Sequence, residues 1–238
     1  SLDFFAVLNR FLRENSRKPQ EAALMGLFDL IGIGPSQPFN PANISPATRR
    51  GLERALKDGR MMIRDGRKVE SGGWASVANA KLGVYGYDYF TRASVNYSGL
   101  LANLPEEAVY PRVSIDPNGR QLTGERRYRL VFDKPIPVDA FWSLTPYDAM
   151  TFDLISNPLK RYSVGSNTPG LKVRKDGSFV IEMATTAPKD RDVNWLPVSN
   201  GPYILTMRLY QPRPEILDGR YKLPDLQEVQ GAAPSSKQ

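Results

Sequence analysis

The sequence predicts an α+β fold, with a mainly helical region over residues 1–104 followed by an antiparallel β-sandwich over residues 105–230. Apolar side chains recur every three to four positions in the first region, which is typical of amphipathic helices, and at every second position in the other, which is typical of strands. This change of period coincides with a shift in composition at Pro105-Glu106-Glu107. Short strands separated by turns, without helices between them, indicate a β-sandwich or jelly roll.

Two segments near the N-terminus carry apolar stripes at helical spacing. The stripes consist of Phe4, Phe5, Leu8, Phe11 and Leu12 in one segment and of Ala23, Leu24, Leu27, Phe28 and Ile31 in the other. The stretch Gly32-Ile33-Gly34-Pro35 then predicts a helix stop. It differs from a phosphate-binding loop because it lacks a third glycine, a preceding strand and a Lys-Ser/Thr pair.

A third helix is predicted from Pro46 to about Arg64, with Ser45 as its N-cap. Its polar faces are basic, and residues 1–104 hold 14 basic against 9 acidic side chains in a chain of net charge +7. Nucleic acid or an anionic membrane surface would suit such a face. We favour a solvated face and expect no nucleic-acid partner, because no aromatic side chains alternate with the charges as stacking platforms. A fourth helix is predicted between a cap at Asp88 and Asn103.

Six strands are predicted in the second region, separated by turns that resemble those of hairpins. They are Ala108 to Ile115, Arg126 to Asp133, Ala140 to Tyr147, Leu171 to Arg174, Phe179 to Ala184 and Tyr203 to Tyr210. The turn Asp116-Pro117-Asn118-Gly119 lacks the further acidic ligands of a calcium loop. Residues 231–238 are predicted to form a disordered tail.

The absence of histidine and cysteine restricts the chemistry of this chain. It excludes a Ser-His-Asp triad, a cysteine nucleophile, disulfides, and zinc, iron or copper sites ligated by histidine. Catalysis would have to use carboxylates, tyrosine, lysine or Ser/Thr hydroxyls, and a metal would have to be a hard ion held by oxygen atoms. No motif indicates a metal or a cofactor, so we expect neither, and we assign no catalytic residue.

The candidate binding site lies in the second region, where aromatic and polar residues fall at strand ends or in the connection from Pro188 to Pro202. Its members are Trp142, Tyr147, Asp148, Asn194, Trp195 and Arg208. Aromatic walls would supply contact area, and an acid, an amide and a guanidinium would orient a ligand. The alternative is a core plug, with both tryptophans buried and Arg208 paired with Asp148 or Glu182. An acid pair for catalysis would join Asp148 to Asp153 or Glu182.

Several motifs of the second region occur in an order found in a known family. They are FWSLTPYD, NPLKRY, the DGS turn, NWLPVSNGPY, MRLYQP and ILDGRYKLP, preceded by YFTRASVNYSGLLANLPEEAVYP. Residues 85–229 thereby resemble the C-terminal half of bacterial proteins with paired domains of unknown function 1254 and 1214. The resemblance implies a jelly-roll-like sandwich for this half. It also implies that domain 1254, at the N-terminus, is largely missing here.

Two functions from different classes fit these observations. The favoured one is a non-catalytic ligand-binding or scaffolding protein of the bacterial envelope or exterior, periplasmic or secreted, whose ligand is a glycan or a small apolar molecule. The alternative is a histidine-independent hydrolase or lyase that uses carboxylates and tyrosine, and a cytoplasmic location is the alternative to the envelope. Binding is favoured because no carboxylate pair has a diagnostic spacing and a jelly roll by itself implies no activity.

The ends and the hydropathy of the chain lead to the remaining expectations. No run of about 18 apolar residues is present, so no transmembrane helix is predicted, and the N-terminus lacks the pattern of a signal peptide. The chain opens on Ser1-Leu2-Asp3, without an initiator methionine. We therefore expect a fragment whose partner is the missing N-terminal half of the same protein. The sequence does not indicate an oligomeric state.

Overall fold

The computed structural model describes residues 1–15, 18–65, 73–75 and 82–229, which fall into two compact units, Ser1–Arg67 and Lys68–Gln238. The helices of the first unit are α1 (Asp3–Glu14), a 3-10 turn (Pro19–Glu21), α2 (Ala22–Asp29) and α3 (Pro46–Asp65). The second unit contains α4 (Tyr89–Ser98), two sheets and the short α5 (Pro214–Leu217). The predicted α+β class is confirmed, and α4 lies in the same compact unit as the sheets.

A buried asparagine organises the first unit. Asn9, in the middle of α1, donates from its side-chain amide to the carbonyls of Gly32 (2.9 Å) and Gln37 (3.1 Å) and accepts from the amide of Gly34 (3.0 Å). These bonds satisfy backbone groups of the loop after α2. The loop starts as predicted, because α2 ends at Asp29 and Gly32 has a φ of 77°, which favours glycine. A small core lies beside it, formed by Phe5, Ile33, Phe39 and Leu52.

Two helices begin at the caps that the sequence predicts. The hydroxyl of Ser45 accepts a hydrogen bond from the amide of Thr48 at 3.0 Å, and α3 starts at the next residue. Asp88 accepts from the hydroxyl of Thr91 at 2.6 Å and from its amide at 2.9 Å, and these two hydrogen bonds lower the pKa of its carboxyl. Each cap satisfies one of the amides that a helix leaves free in its first turn.

Much of the apolar stripe of α1 and α2 is exposed. Phe4 and Phe11 of α1 are 54% and 57% exposed, and Leu27 of α2 is 63% exposed. Only Phe5 among the predicted stripe residues of α1 is fully buried. The amphipathic pattern therefore predicts these helices correctly, while most of the side chains in it remain accessible to solvent.

The second unit contains two sheets. Their strands are β1 (Ala108–Val109), β2 (Arg112–Val113), β3 (Arg127–Phe132), β4 (Trp142–Asp148), β5 (Val164–Gly165), β6 (Phe179–Ala184), β7 (Asn194–Pro197), β8 (Tyr203–Tyr210) and β9 (Gln227–Val229). The five-stranded sheet has the order β1-β8-β4-β5, with β2 also paired to β8, and the four-stranded sheet has the order β7-β6-β3-β9. Among the described strands, β6 and β7 pair in parallel and the other pairs are antiparallel.

The two sheets share one apolar core. Leu144 of β4 and Leu205 of β8 are completely buried in the same cluster as Leu130 of β3 and Ile181 of β6. Along β3 the burial alternates strictly, so that alternate side chains point into this core and the others point away from it. The alternation assigns each strand residue to an inner or an outer face, and this assignment decides which candidate residues meet.

One predicted strand is wrong. Leu171 to Arg174 is irregular, because the amide and the carbonyl of Lys172 are bound by the side chain of Asn194, at 2.8 and 3.0 Å, instead of by a neighbouring strand. The sequence also misses β5, β7 and β9, which have four residues or fewer. Segments this short contain too few positions for a period of two to be recognised.

The turn after β2 is held by a buried acid. Asp116 accepts hydrogen bonds from the amides of Asn118 and Arg120, both at 2.9 Å, and from the guanidinium of Arg120 at 2.8 Å and the hydroxyl of Tyr128 at 3.2 Å. Burial raises the pKa of Asp116, but these hydrogen bonds together lower it more, so its pKa lies below the ordinary 3.8. The predicted turn is thus also an anchor between the loop and β3.

Within the described residues, no helix is long and apolar enough to cross a membrane, and no group of three acidic side chains could hold a metal ion. The predicted disordered tail, 231–238, lies outside the described residues.

Candidate functional site

The two most buried members of the predicted site face the core. Trp142 of β4 is 6% exposed and stacks on Phe179 of β6, with ring centroids 5.0 Å apart and planes 13° from parallel. Asn194 of β7 is 7% exposed, and its amide donates to the carbonyls of Lys172 and Val180, each at 3.0 Å. Trp142 is therefore a core side chain, and Asn194 connects backbone segments.

Trp195 lies on the outer face of the four-stranded sheet. In the parallel register Trp195 is opposite Glu182, one position away from the buried Ile181, so both residues point away from the core. The indole of Trp195 donates to the carbonyl of Ala184 at 2.9 Å. Tyr147, Asp148 and Arg208 belong to the five-stranded sheet, on the other side of the core from Trp195, whereas Asn194 precedes Trp195 on β7.

Asp148 completes the turn that follows β4. One of its carboxylate oxygens accepts from the amides of Met150 at 2.8 Å and Thr151 at 3.0 Å. The hydrogen bonds from Thr151 and Met150 lower the pKa of this carboxyl. Asp148 is thus an ionised turn former, which is a poor proton donor at neutral pH.

Tyr147 and Arg208 are the two predicted site residues that meet. Arg208 of β8 donates from Nη2 to the hydroxyl of Tyr147 and from Nη1 to the hydroxyl of Thr145 at 2.9 Å, both on the neighbouring β4. The centre of the guanidinium also lies 5.5 Å from the centroid of the Tyr147 ring. All three side chains lie on the outer face of the five-stranded sheet, because their neighbours Leu144 and Met207 point into the core.

Neither predicted acid pairs with Arg208. Glu182 is 3% exposed at its side chain and binds Arg127 at 3.0 Å and Arg129 at 2.9 Å on the other sheet. Asp148 is engaged by its own turn. The register explains this outcome, because Glu182 and Arg208 lie on the outer faces of different sheets.

A second arginine, which the sequence analysis did not select, joins Arg208. Arg112 of β2 is opposite Thr206 of β8, which has the same orientation as Arg208 two residues along the strand. Burial lowers the pKa of Arg112, and the positive charge of Arg208 lowers it further. No carboxylate of the described residues lies within ion-pair distance of either arginine. We call Arg112, Thr145, Tyr147, Thr206 and Arg208 the arginine face.

Aromatic side chains border the arginine face. Tyr210, the next outward residue of β8, stacks on Phe141 with ring centroids 4.4 Å apart and meets the edge of Tyr110 at 6.0 Å. The hydroxyls of the two tyrosines are 3.4 Å apart, and burial raises the pKa of Tyr110 to about 12. Phe141, Tyr110 and Tyr210 form the aromatic rim. The face thus combines two cations, uncharged hydroxyl groups and ring surface.

This part of the chain matches a family model. Residues 107–214 match the family described as "Protein of unknown function (DUF1214)". The match supports the resemblance of the C-terminal half to domain 1214, and it contains every residue of the arginine face and the aromatic rim. No curated protein is recognisably similar to the chain.

Two solved structures resemble the chain. One is the VPA0106 protein from Vibrio parahaemolyticus, with a TM-score of 0.65 and 25% identity over 93% of this chain and 54% of that one. The other is an uncharacterised protein from Burkholderia cenocepacia, with a TM-score of 0.37 and 16% identity over 82% of this chain and 46% of that one. The chain therefore spans about half the length of each protein.

Proposed function

We propose that this chain is a non-catalytic binding protein of the bacterial envelope or exterior, whose arginine face holds the acidic group of a small molecule or glycan fragment. The observation that carries the proposal is the pair Arg112 and Arg208. Both guanidiniums are partly buried on one sheet face and lack a carboxylate partner among the described residues. Two like charges in a partly dehydrated position repel each other, and a bound anion would offset that repulsion.

The chemistry of the face favours a carboxylate or a phosphate. Guanidinium groups donate several hydrogen bonds in a plane and match the geometry of both anions. The partly buried hydroxyl of Tyr147 adds a group that binds polar substituents, and the aromatic rim provides surface for a sugar ring or an apolar chain. An acidic sugar satisfies all three kinds of contact.

The enzymatic alternative is favoured less because two of its three candidate acids, Glu182 and Asp148, are engaged, while the third, Asp153, is exposed. Glu182 neutralises two arginines, and Asp148 is bound by the amides of its turn with a lowered pKa. A general acid needs a carboxyl that keeps its proton near neutral pH, and the lowered pKa of Asp148 opposes that role. Release of product from a bound probe would revive this alternative.

The test uses glucuronate and glucose 6-phosphate as anionic probes and glucose as their neutral counterpart, with binding measured by isothermal titration calorimetry. We expect both anions to bind and glucose to bind at least tenfold more weakly, which corresponds to about 1.4 kcal/mol. Arg208→Gln and Arg112→Gln should each weaken the anions by a similar factor. Arg191→Gln, at an exposed arginine of the same unit, is the matched control and should change nothing.

Two results would overturn the proposal. One is that neither anion binds the wild-type chain. The other is that both anions bind the Arg208→Gln and Arg112→Gln variants as tightly as they bind the wild-type chain. Melting temperatures of all variants show whether a lost affinity reflects a lost fold.

The proposal extends to the partner expected from the sequence. A further N-terminal part of the protein, corresponding to domain 1254, would cover the exposed apolar side chains of α1 and α2, among them Phe11 and Leu27. The length of the VPA0106 protein supports this, since the chain covers 54% of it. If the complete protein bound as much of a hydrophobic dye per mole as the present chain, that part would not cover these helices.

A further inference from the structure

A row of apolar and aromatic side chains lies beside the two arginines on the outer face of the five-stranded sheet. Tyr147 of β4 is opposite Ile204 of β8 on one side and opposite Leu154, in the segment after β4, on the other. Residues that are directly opposite in antiparallel pairing place their side chains on the same face of a sheet. Ile204, Tyr147 and Leu154 therefore form a row across three neighbouring segments, which we call the apolar strip.

The residue after Leu154 supports this orientation. Ile155 is buried and belongs to the core that the two sheets share. Because consecutive side chains of an extended chain point to opposite sides, Leu154 points away from the core, and Asp153 does not point toward the apolar strip. Leu154 is 49% exposed, so a ligand on this face can reach it.

Arg208 connects the apolar strip to the charged part of the face. Its Nη2 donates to the hydroxyl of Tyr147, and the centre of its guanidinium lies 5.5 Å from the centroid of that ring. A guanidinium carries several N–H groups, and Arg208 uses two of them in hydrogen bonds to described residues. The others remain able to donate to an anion, beside apolar side chains that are only partly covered.

The segment that carries Leu154 is held by backbone hydrogen bonds. The amide of Phe152 donates to the carbonyl of Asp148, and the amide of Asp148 donates to the carbonyl of Asp153, both at 3.0 Å. Phe152 is 63% exposed and has a φ of 62°, which phenylalanine rarely adopts, so this turn presents a second accessible apolar side chain close to Leu154 in the sequence. A segment that is already ordered loses little conformational entropy when a ligand binds.

We infer that the ligand of the arginine face is an anionic amphiphile, with its acidic group at Arg112 and Arg208 and its alkyl chain along the apolar strip. This inference rests on the proposed function and names the class of its ligand. A sugar acid would neutralise the cations but leave Leu154 in contact with water, and an uncharged chain would cover Leu154 but leave the cations unpaired. An alkyl chain with an anionic group offsets the repulsion of the arginines and also removes apolar surface from water.

The first experiment measures the binding of butyrate, hexanoate, octanoate and decanoate to the 238-residue chain by isothermal titration calorimetry, below the concentrations at which they form micelles. We expect the affinity to rise about fourfold with each two methylene groups, the gain expected when about half of their surface is buried. Octanol, which has the chain of octanoate without its charge, should bind at least tenfold more weakly than octanoate.

Two results of this experiment would overturn the inference. One is that decanoate binds no more tightly than butyrate, since the chain would then make no contact with the protein. The other is that octanol binds as tightly as octanoate, since an uncharged apolar occupant would then suit the strip equally well.

The second experiment changes the apolar strip. Leu154→Asn keeps the size of the side chain and removes its apolar character, so it should weaken decanoate at least fourfold and leave the affinity for glucuronate unchanged. Val173→Thr is the matched control, because Val173 is also 49% exposed but lies outside the strip, and it should change neither affinity. Unchanged decanoate affinity in Leu154→Asn, with a melting temperature near that of the wild type, would refute the role of the strip.

The outcomes separate this inference from the proposed function. If glucuronate binding depends on Arg208 while decanoate binds no more tightly than butyrate, the inference fails and the proposed function stands. If neither glucuronate nor decanoate binds the wild-type chain, both fail.

Discussion

Replacing Glu182 by glutamine tests whether the outer face of the four-stranded sheet depends on a buried charge. Glu182 bridges Arg127 at 3.0 Å and Arg129 at 2.9 Å, and its side chain is 3% exposed while those of the arginines are 30% exposed. The Nε atom of Arg129 is buried and has no hydrogen-bond partner among the described residues. Glu182 is therefore the anion on which both guanidiniums depend for neutralisation.

The expected loss follows from these contacts. Removing one partner of a fully buried ion pair costs about 3–5 kcal/mol, because the remaining charge stays buried. Here the arginines retain some contact with water, and glutamine keeps one oxygen that can still accept a hydrogen bond. We therefore expect Glu182→Gln to lower the free energy of unfolding by about 2–3 kcal/mol. For a domain of this size, such a loss lowers the melting temperature by about 2–4 °C per kcal/mol.

Urea unfolding, followed by tryptophan fluorescence, measures this loss. Trp195 is paired with Glu182 across β6 and β7, so its emission reports on the sheet that is changed. The matched control is Glu125→Gln at an exposed position, which should change stability by less than about 0.5 kcal/mol. If Glu182→Gln also changed the free energy of unfolding by less than about 0.5 kcal/mol, the reasoning would be refuted. Water would then solvate the two arginines well enough without their anion.

Three further outcomes are expected from the same unfolding assay. Asp116→Asn should destabilise the chain at neutral pH, and the difference from wild type should shrink as the pH falls below 3.8, because a lowered pKa stabilises the fold only while the acid is ionised. Trp142→Ala should cost about 3–5 kcal/mol by opening a cavity in the shared core, and Trp195→Ala, at a partly buried position on the outer face, should cost clearly less. Gly177→Ala should destabilise the turn at a φ of 83°, since its Cβ would collide with Pro135; an unchanged melting temperature would contradict this.

The elements that the sequence predicts well are those whose information is local. The caps at Ser45 and Asp88 need only the residues of one turn, and the strands β3, β6 and β8 are long enough to show a period of two or a continuous apolar run. The error at Leu171 to Arg174 has a non-local cause, because the backbone there is bound by a side chain from β7. No pattern within the segment itself could indicate that partner.

The candidate site also has one feature that local spacing predicts and others that depend on strand pairing. Period two alone indicates that Trp142 and Tyr147, five positions apart on one strand, point to opposite faces, so the strand that holds them could not direct both into a single site. The meeting of Tyr147 with Arg208 depends on β4 pairing with β8, and the addition of Arg112 depends on β2 pairing with the same strand. Such pairings join segments that are far apart in the chain, and they are not encoded in the spacing of either segment.

An arginine at a strand position whose neighbours are buried is nevertheless a signal that can be recognised from the sequence alone. A charge on a half-covered face must find an acid or a ligand, and the register decides which of the two it meets.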